Sequence, residues 1–253
     1  MTDSKFNDFV NIVKRLRKEC PWDREQTNQS IRTATIEEAY EVVHAIDDNN
    51  YEELKKELGD LLLHVVFHTE IAGETAGFTV DDVIDSIREK LIRRHPHIFG
   101  TAEVKDADDV KQNWEKIKMS EGRKSVLDGL PSSLPSLLRA QRMQEKASKV
   151  GFDWSEKVDV WHKVEEEILE FREAEEHGDK AKMEEELGDL LFAITNYSRF
   201  LNIHSEDALR NSIKKFERRF RYVEEKLAEI GKTPSDSNLE EMDKFWNEIK
   251  AKE

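Results

Sequence analysis

One acidic signature occurs twice in this chain, in the same register. The first copy reads Glu37-Glu38-Ala39-Tyr40-Glu41 and continues at Glu57-Leu58-Gly59-Asp60. The second reads Glu166-Glu167-Ile168-Leu169-Glu170 and continues at Glu186-Leu187-Gly188-Asp189. Five acidic positions keep a constant offset of 129 residues. Scattered surface acids do not stay in step in this way, so the chain is expected to hold one structural unit twice. Residues 120–135 carry two Gly, two Pro and four Ser, the composition of a linker. They divide an N-terminal domain, 1–119, from a C-terminal domain, 136–253.

Both units read as all-α. Gly (10) and Pro (5) are scarce, charged residues reach 38%, and no segment alternates with strand period. Apolar residues at 6, 9, 10, 12, 13 and 16 predict a first helix, broken at Pro21-Trp22-Asp23. Thr33 or Thr35 is the expected cap of the helix that carries Glu37–Glu41. A further helix runs from Tyr51 to Ala72, a turn covers Gly73–Gly77, and Thr79 caps a helix over Val80–Arg94. The second half repeats the order, with helices over Leu137–Val150, Val158–Glu176, Lys180–Leu201 and Ser205–Ile230, and a last one carrying Trp246. The fold class is therefore a tandem repeat of helical bundles.

Positions three or four apart share a helix face. Glu38 projects with Glu41, and Glu57 with Asp60. A short turn makes the two helices antiparallel neighbours, so the four carboxylates converge. Glu167, Glu170, Glu186 and Asp189 do the same in the second copy. Clustered carboxylates stay ionised only beside a cation. All-oxygen ligation suits Mg²⁺ or Mn²⁺. Di-iron bundles use Glu-x-x-His pairs; Glu57 and Glu186 are followed three residues later by Asp, which points away from iron. The runs Leu61-Leu62-Leu63 and Leu190-Leu191-Phe192 directly after the acids predict helices buried over much of their surface.

A phosphate ligand would also need cations. Lys182 lies four residues before Glu186 on the same face, and Lys215, Arg218 and Arg219 form a basic stripe at i, i+3, i+4. Trp246 is available to stack on a base or sugar. The formal charge of −15 disfavours nucleic acid as a partner. One cysteine, Cys20, permits no internal disulfide, and no apolar run approaches 18 residues. The reading is a cytoplasmic protein with no membrane partner.

The pattern Glu-Glu-x-x-Glu, a gap, then Glu-x-x-Asp resembles the MazG family of nucleoside triphosphate pyrophosphohydrolases. Further segments are similar to the full-length two-domain bacterial members: Cys20-Pro21-Trp22-Asp23, Arg93-Arg94-His95-Pro96-His97, Gly151-Phe152-Asp153-Trp154 and Lys215-Phe216-Glu217-Arg218-Arg219-Phe220. The resemblance covers nearly the whole chain. It implies an all-α pyrophosphatase fold, a homodimer, and Mg²⁺-dependent hydrolysis of NTP or dNTP to monophosphate and pyrophosphate, with Mn²⁺ as a substitute ion. Glu167, Glu170, Glu186 and Asp189 match the family's metal ligands. Lys182, Lys215, Arg218, Arg219 and Trp246 match its nucleotide-contacting positions. Glu166, outside the ligand set, is the candidate general base. The quartet Glu38, Glu41, Glu57 and Asp60 is expected to be a second, weaker site, because Glu53 stands where the second copy has Lys182. Two readings stay open beside this one: a dUTPase-like phosphohydrolase with narrow base choice, and a non-catalytic helical interaction protein that binds metal structurally.

Overall fold

The spacing of apolar residues is realised as helix throughout, and among the described residues there is no strand. The computed structural model describes the backbone of residues 2–122 and 124–253, and all their side chains except those of 2–4, 108, 111, 112, 115 and 116. Arg123, in the expected linker, lies outside the described residues, as do the side chains of Glu115 and Lys116. The chain divides into two units, Met1–Trp114 and Glu115–Glu253.

The first unit holds α1 (Thr2–Glu19), α2 (Pro21–Glu25), α3 (Arg32–Asp47), α4 (Tyr51–Ala76), α5 (Val80–Arg94) and α6 (Pro96–Phe99). Helix α7 (Ala107–Ser120) crosses the unit boundary. Helix α4 packs on α3 and α1. The core between them is Val10, Val13, Ile31, Val66, Phe67, Ile71 and Val80. Arg17 ties α1 to α4 through a two-pronged bond to Glu74 (2.7 and 2.9 Å) and also donates to the carbonyl of Gln26 (2.9 Å). The expected break at Pro21 is itself a short helix, opened by Pro at its first position.

The second unit holds α8 (Ser136–Ser148), α9 (Lys157–His177), α10 (Lys180–Phe200), α11 (Ser205–Glu229) and α12 (Leu239–Lys252). Helix α10 packs on α9 and α8, and α11 packs on α12. Val160, Val164, Ala193, Val223 and Leu227 are buried there. Buried Lys146 donates to the carbonyls of Val126 (3.0 Å) and Asp128 (2.7 Å), which fastens part of the segment 120–135 to α8.

The helix pairs that carry the acids turn in the same way in both units. Asn49 and Gly178 occupy matching positions and both take left-handed backbone angles, φ 53° and 68°. The next residues, Asn50 and Asp179, cap α4 and α10 with their side-chain oxygens. Two sequence expectations fail. Neither Thr33 nor Thr35 is a cap: buried Ile31 precedes α3 with no side-chain cap, and both threonines lie inside the helix. The Leu-rich runs after the acids are not fully covered either. Leu62, Leu191 and Phe192 remain more than 40% exposed within this chain.

Candidate active site

In the second unit α9 and α10 fold back on each other across a two-residue turn. This brings one carboxylate oxygen each from Glu167, Glu186 and Asp189 within 4.8 Å of one another. Glu167 and Glu186 are buried, and Asp189 is exposed. Glu170 falls outside this trio but hydrogen-bonds Glu186. Burial first, then the Glu186 and Glu167 charges, push its carboxyl above the usual range. One oxygen of Glu167 is buried with no hydrogen-bond partner. A buried carboxylate oxygen left in that state fits a hard cation, as does an all-oxygen donor set.

Two lysines sit against this cluster. Lys163 Nζ lies 2.7 Å from Glu166 and 2.6 Å from Glu167. Lys182 Nζ lies 2.5 Å from Glu186 and 3.4 Å from Glu185. The bond to Lys182 is the main reason the Glu186 carboxyl is held below the usual range. Glu166 itself is half-exposed and paired outward with Lys163. A shallow cavity of about 280 Å³ opens beside the trio, lined by Glu170, Glu173, His177, Asp179, Lys182 and Glu186.

The first unit assembles a similar trio with a different charge balance. Oxygens of Glu38, Glu41 and Glu57 lie within 4.8 Å of one another. Asp60 is outside the trio, although its charge reaches Glu38. Glu53, at the position of Lys182, shares a hydrogen bond with Glu57. Burial first, then Glu53 and Glu41, push the Glu57 carboxyl up to about 7. Glu38 is raised for the same kinds of reason, burial and then Glu41 and Asp60. The second trio is thus partly neutralised by lysines, whereas the Glu38 and Glu57 carboxyls of the first are both pushed above the usual range.

The basic stripe forms a cluster of its own on α11 and α12. Arg218 Nε and Arg219 Nε each donate to the Glu253 carboxylate at 3.0 Å. The Arg219 guanidinium lies over the Trp246 ring at 5.5 Å, and Phe216 packs on the same ring at 5.3 Å. Lys215 is exposed. None of these four predicted nucleotide-contacting residues lines the cavity beside Glu186.

Sequence reasoning passed over two residues. Lys163 precedes Glu166 and Glu167 by three and four positions, the ordinary helix ion-pair spacing that would have found it. His64 lies seven residues after Glu57, and its Nε2 stands 3.9 Å from Glu38. A Glu-x-x-His pair also occurs once, as Glu41 and His44, but the exposed His44 pairs with Asp48 at 3.6 Å.

Paired helices presenting a carboxylate trio, twice in one all-α chain, define a tandem carboxylate-bundle protein. The profile of the MazG nucleotide pyrophosphohydrolase domain matches residues 26–99 and again 159–223. A Thermotoga maritima protein described as nucleoside triphosphate pyrophosphohydrolase/pyrophosphatase MazG is 45% identical over 251 residues, spanning 97% of this chain and 96% of that one. The nucleoside triphosphate pyrophosphohydrolase of Escherichia coli K12 is 42% identical over 259 residues, spanning 99% and 98%. The chain belongs to the MazG family. A solved structure of a mazG-related protein from Thermotoga maritima, 23% identical, covers 45% of this chain and 98% of its own, with a TM-score of 0.41.

Proposed function

We propose that the chain hydrolyses nucleoside triphosphates, ribo or deoxy, to the monophosphate and pyrophosphate, with Mg²⁺ in the second unit and Mn²⁺ as a substitute. The working domains are 1–119 and 136–253. The observation that carries the reading is the Glu167–Glu186–Asp189 trio, with Glu167 and Glu186 buried and one Glu167 oxygen unpartnered, beside a cavity edged by Lys182. At about 280 Å³ the cavity is smaller than the roughly 300–1,000 Å³ usual for a whole ligand. It suits the phosphate end of a nucleotide, with the nucleoside held elsewhere.

Glu167, Glu186 and Asp189 would hold the ion, joined by Glu170. When bound, a divalent cation supplies Lewis-acid charge at phosphate oxygens and lowers the pKa of water. Water attacks the α-phosphorus, the bond from that phosphorus to the bridging oxygen breaks, and pyrophosphate leaves. Glu166 takes the proton of the attacking water, for which Lys163 must release it. Lys182 offsets the charge growing on pyrophosphate, and Lys215, Arg218, Arg219 and Trp246, which lie outside this cavity, hold the rest of the nucleotide once the two arginines release Glu253.

The assembly is a homodimer. Leu187, Leu191 and Ile194 form an exposed i, i+4, i+7 stripe on α10, and Leu58, Leu62 and Val65 form the matching stripe on α4. Gly59 and Gly188 sit within these helices, and a methyl group added at either would meet no neighbouring atom within 4 Å. A mid-helix Gly costs about 1 kcal/mol against Ala, and among the described residues nothing uses the space it leaves. Close approach of a second copy would use it. No described helix is long and apolar enough to cross a membrane, and the proposed location is the cytoplasm.

A panel of NTPs and dNTPs, with pyrophosphate and orthophosphate measured separately, tests the reaction. Stoichiometric pyrophosphate and monophosphate are expected. Orthophosphate release, or turnover of one base alone, would favour a different phosphohydrolase.

A further inference from the structure

The first unit contains a polar relay that the second lacks, and it ends at the acidic trio. Helix α4 places Glu57, Asp60, His64 and His68 at i, i+3, i+7 and i+11, along one face. Thr35, inside α3, lies opposite. Its Oγ1 is 2.9 Å from His64 Nδ1 and 2.7 Å from His68 Nε2, and it donates to the Ile31 carbonyl at 3.1 Å.

The roles of the ring nitrogens depend on the tautomer, and the single hydroxyl proton narrows them. A threonine hydroxyl has one proton and two lone pairs. With that proton given to the Ile31 carbonyl or to His68 Nε2, His64 Nδ1 is the donor to Thr35. In that tautomer a neutral His64 has its lone pair at Nε2. That nitrogen lies 3.9 Å from Glu38 Oε1, on a side chain 13% exposed, at the edge of the group that Glu38, Glu41 and Glu57 form within 4.8 Å of one another. His68 Nδ1 lies 2.7 Å from Asn28 Oδ1, to which it donates when its Nε2 accepts from Thr35. A histidine that ligates a metal has the same arrangement: one nitrogen free for the ion, the other N–H held by an oxygen.

A second observation points to a cation at the same place. Glu57 is nine-tenths buried and, among the described residues, its hydrogen-bond partners are two more carboxylates, Glu53 and Glu41. Its counterpart Glu186 has Lys182. The matching positions in the second copy also lack the relay: Val164 replaces Thr35, Ala193 replaces His64 and Tyr197 replaces His68.

We propose that His64 is a ligand of the first cluster, making it a mixed nitrogen–oxygen site for a borderline divalent transition metal such as Co²⁺ or Zn²⁺, with Mn²⁺ accepted as a spectroscopic probe. The inference rests on the reading of Glu38, Glu41 and Glu57 as a metal site. The second cluster has only oxygen donors and keeps the Mg²⁺ preference of such a set. One chain then holds two sites that respond to different metals, and Thr35 positions the nitrogen ligand of the first.

The test uses the full chain carrying Glu186→Gln, which weakens the second site. With one equivalent of Mn²⁺, electron spin echo modulation should show ¹⁴N coupling of a directly bound imidazole. His64→Leu should abolish the coupling. Thr35→Val should lower Zn²⁺ affinity about 10–100-fold and leave Mg²⁺ affinity unchanged. Two results overturn the proposal, and they differ. If Mn²⁺ binds, is lost with Glu57→Gln, and shows no ¹⁴N coupling, His64 is not a ligand although the cluster is a metal site. If Glu57→Gln leaves the bound Mn²⁺ unchanged, the cluster is not a metal site at all. The spectrum of the protein with native His64 decides the first case even if a variant fails to fold.

Discussion

Replacing Lys163 by Met should destabilise the metal-free second unit and make it more dependent on metal. Lys163 contacts Glu167 at 2.6 Å, and the Glu167 side chain is only 5% exposed. Removing one partner of a fully buried ion pair costs about 3–5 kcal/mol, whereas an exposed pair contributes about 0–1 kcal/mol. Lys163 is 38% exposed, so its pair lies between these limits; about 2 kcal/mol is a fair value. At roughly 2–4 °C per kcal/mol for a protein of this size, the transition of the second unit falls by about 4–8 °C in EDTA. A bound divalent ion takes over the neutralising role of the lysine. At roughly 100 times its Kd such an ion adds about 2.7 kcal/mol, and the variant, with no lysine to displace, binds it more tightly. Scanning calorimetry in EDTA and in Mg²⁺ measures both effects. The gap between variant and native protein should narrow in Mg²⁺. No loss in EDTA, or an equal gap in both buffers, would refute the view that lysine stands where the ion belongs.

Two further outcomes are expected. Glu57 holds its proton up to about pH 7 in the folded, metal-free chain, against 4.5 for an ordinary glutamate. Its contribution is therefore full below about pH 4.5 and is lost as the pH rises through 7; Glu57→Gln should flatten this part of the urea-midpoint profile in EDTA, and an unaltered profile would contradict it. The double variant Leu187→Glu, Leu191→Glu should sediment as a monomer, and an intact dimer would remove the α10 stripe from the interface.

The helices were legible because local signals fix them. Thr79 caps α5 as expected, and Asp82 completes a capping box with it, while Gly178 ends α9 in a left-handed turn. The capping of α3 was misread for a physical reason. Ile31 is buried in the core, so packing rather than a cap sets where the helix begins, and the Thr35 hydroxyl is free to serve partners 29 and 33 residues away. No local spacing reports such long-range pairings. The acids themselves were legible through the 129-residue register, and the trios show where register alone overstates: Asp60 and Glu170 share the faces but lie outside the tight groups. The basic stripe was found as a stripe, while its bonds to Glu253 depend on how α11 and α12 pack.

The central claim is that the two clusters are unequal and that the second carries the chemistry. Glu186→Gln and Glu57→Gln change matching buried carboxylates, one beside Lys182 and the other beside Glu53. Pyrophosphate release from the same nucleotide, in saturating Mg²⁺, should be measured for both proteins side by side. Loss of most turnover in Glu186→Gln, with most of it kept in Glu57→Gln, is the predicted result. Equal losses, or the larger loss in Glu57→Gln, would contradict the account.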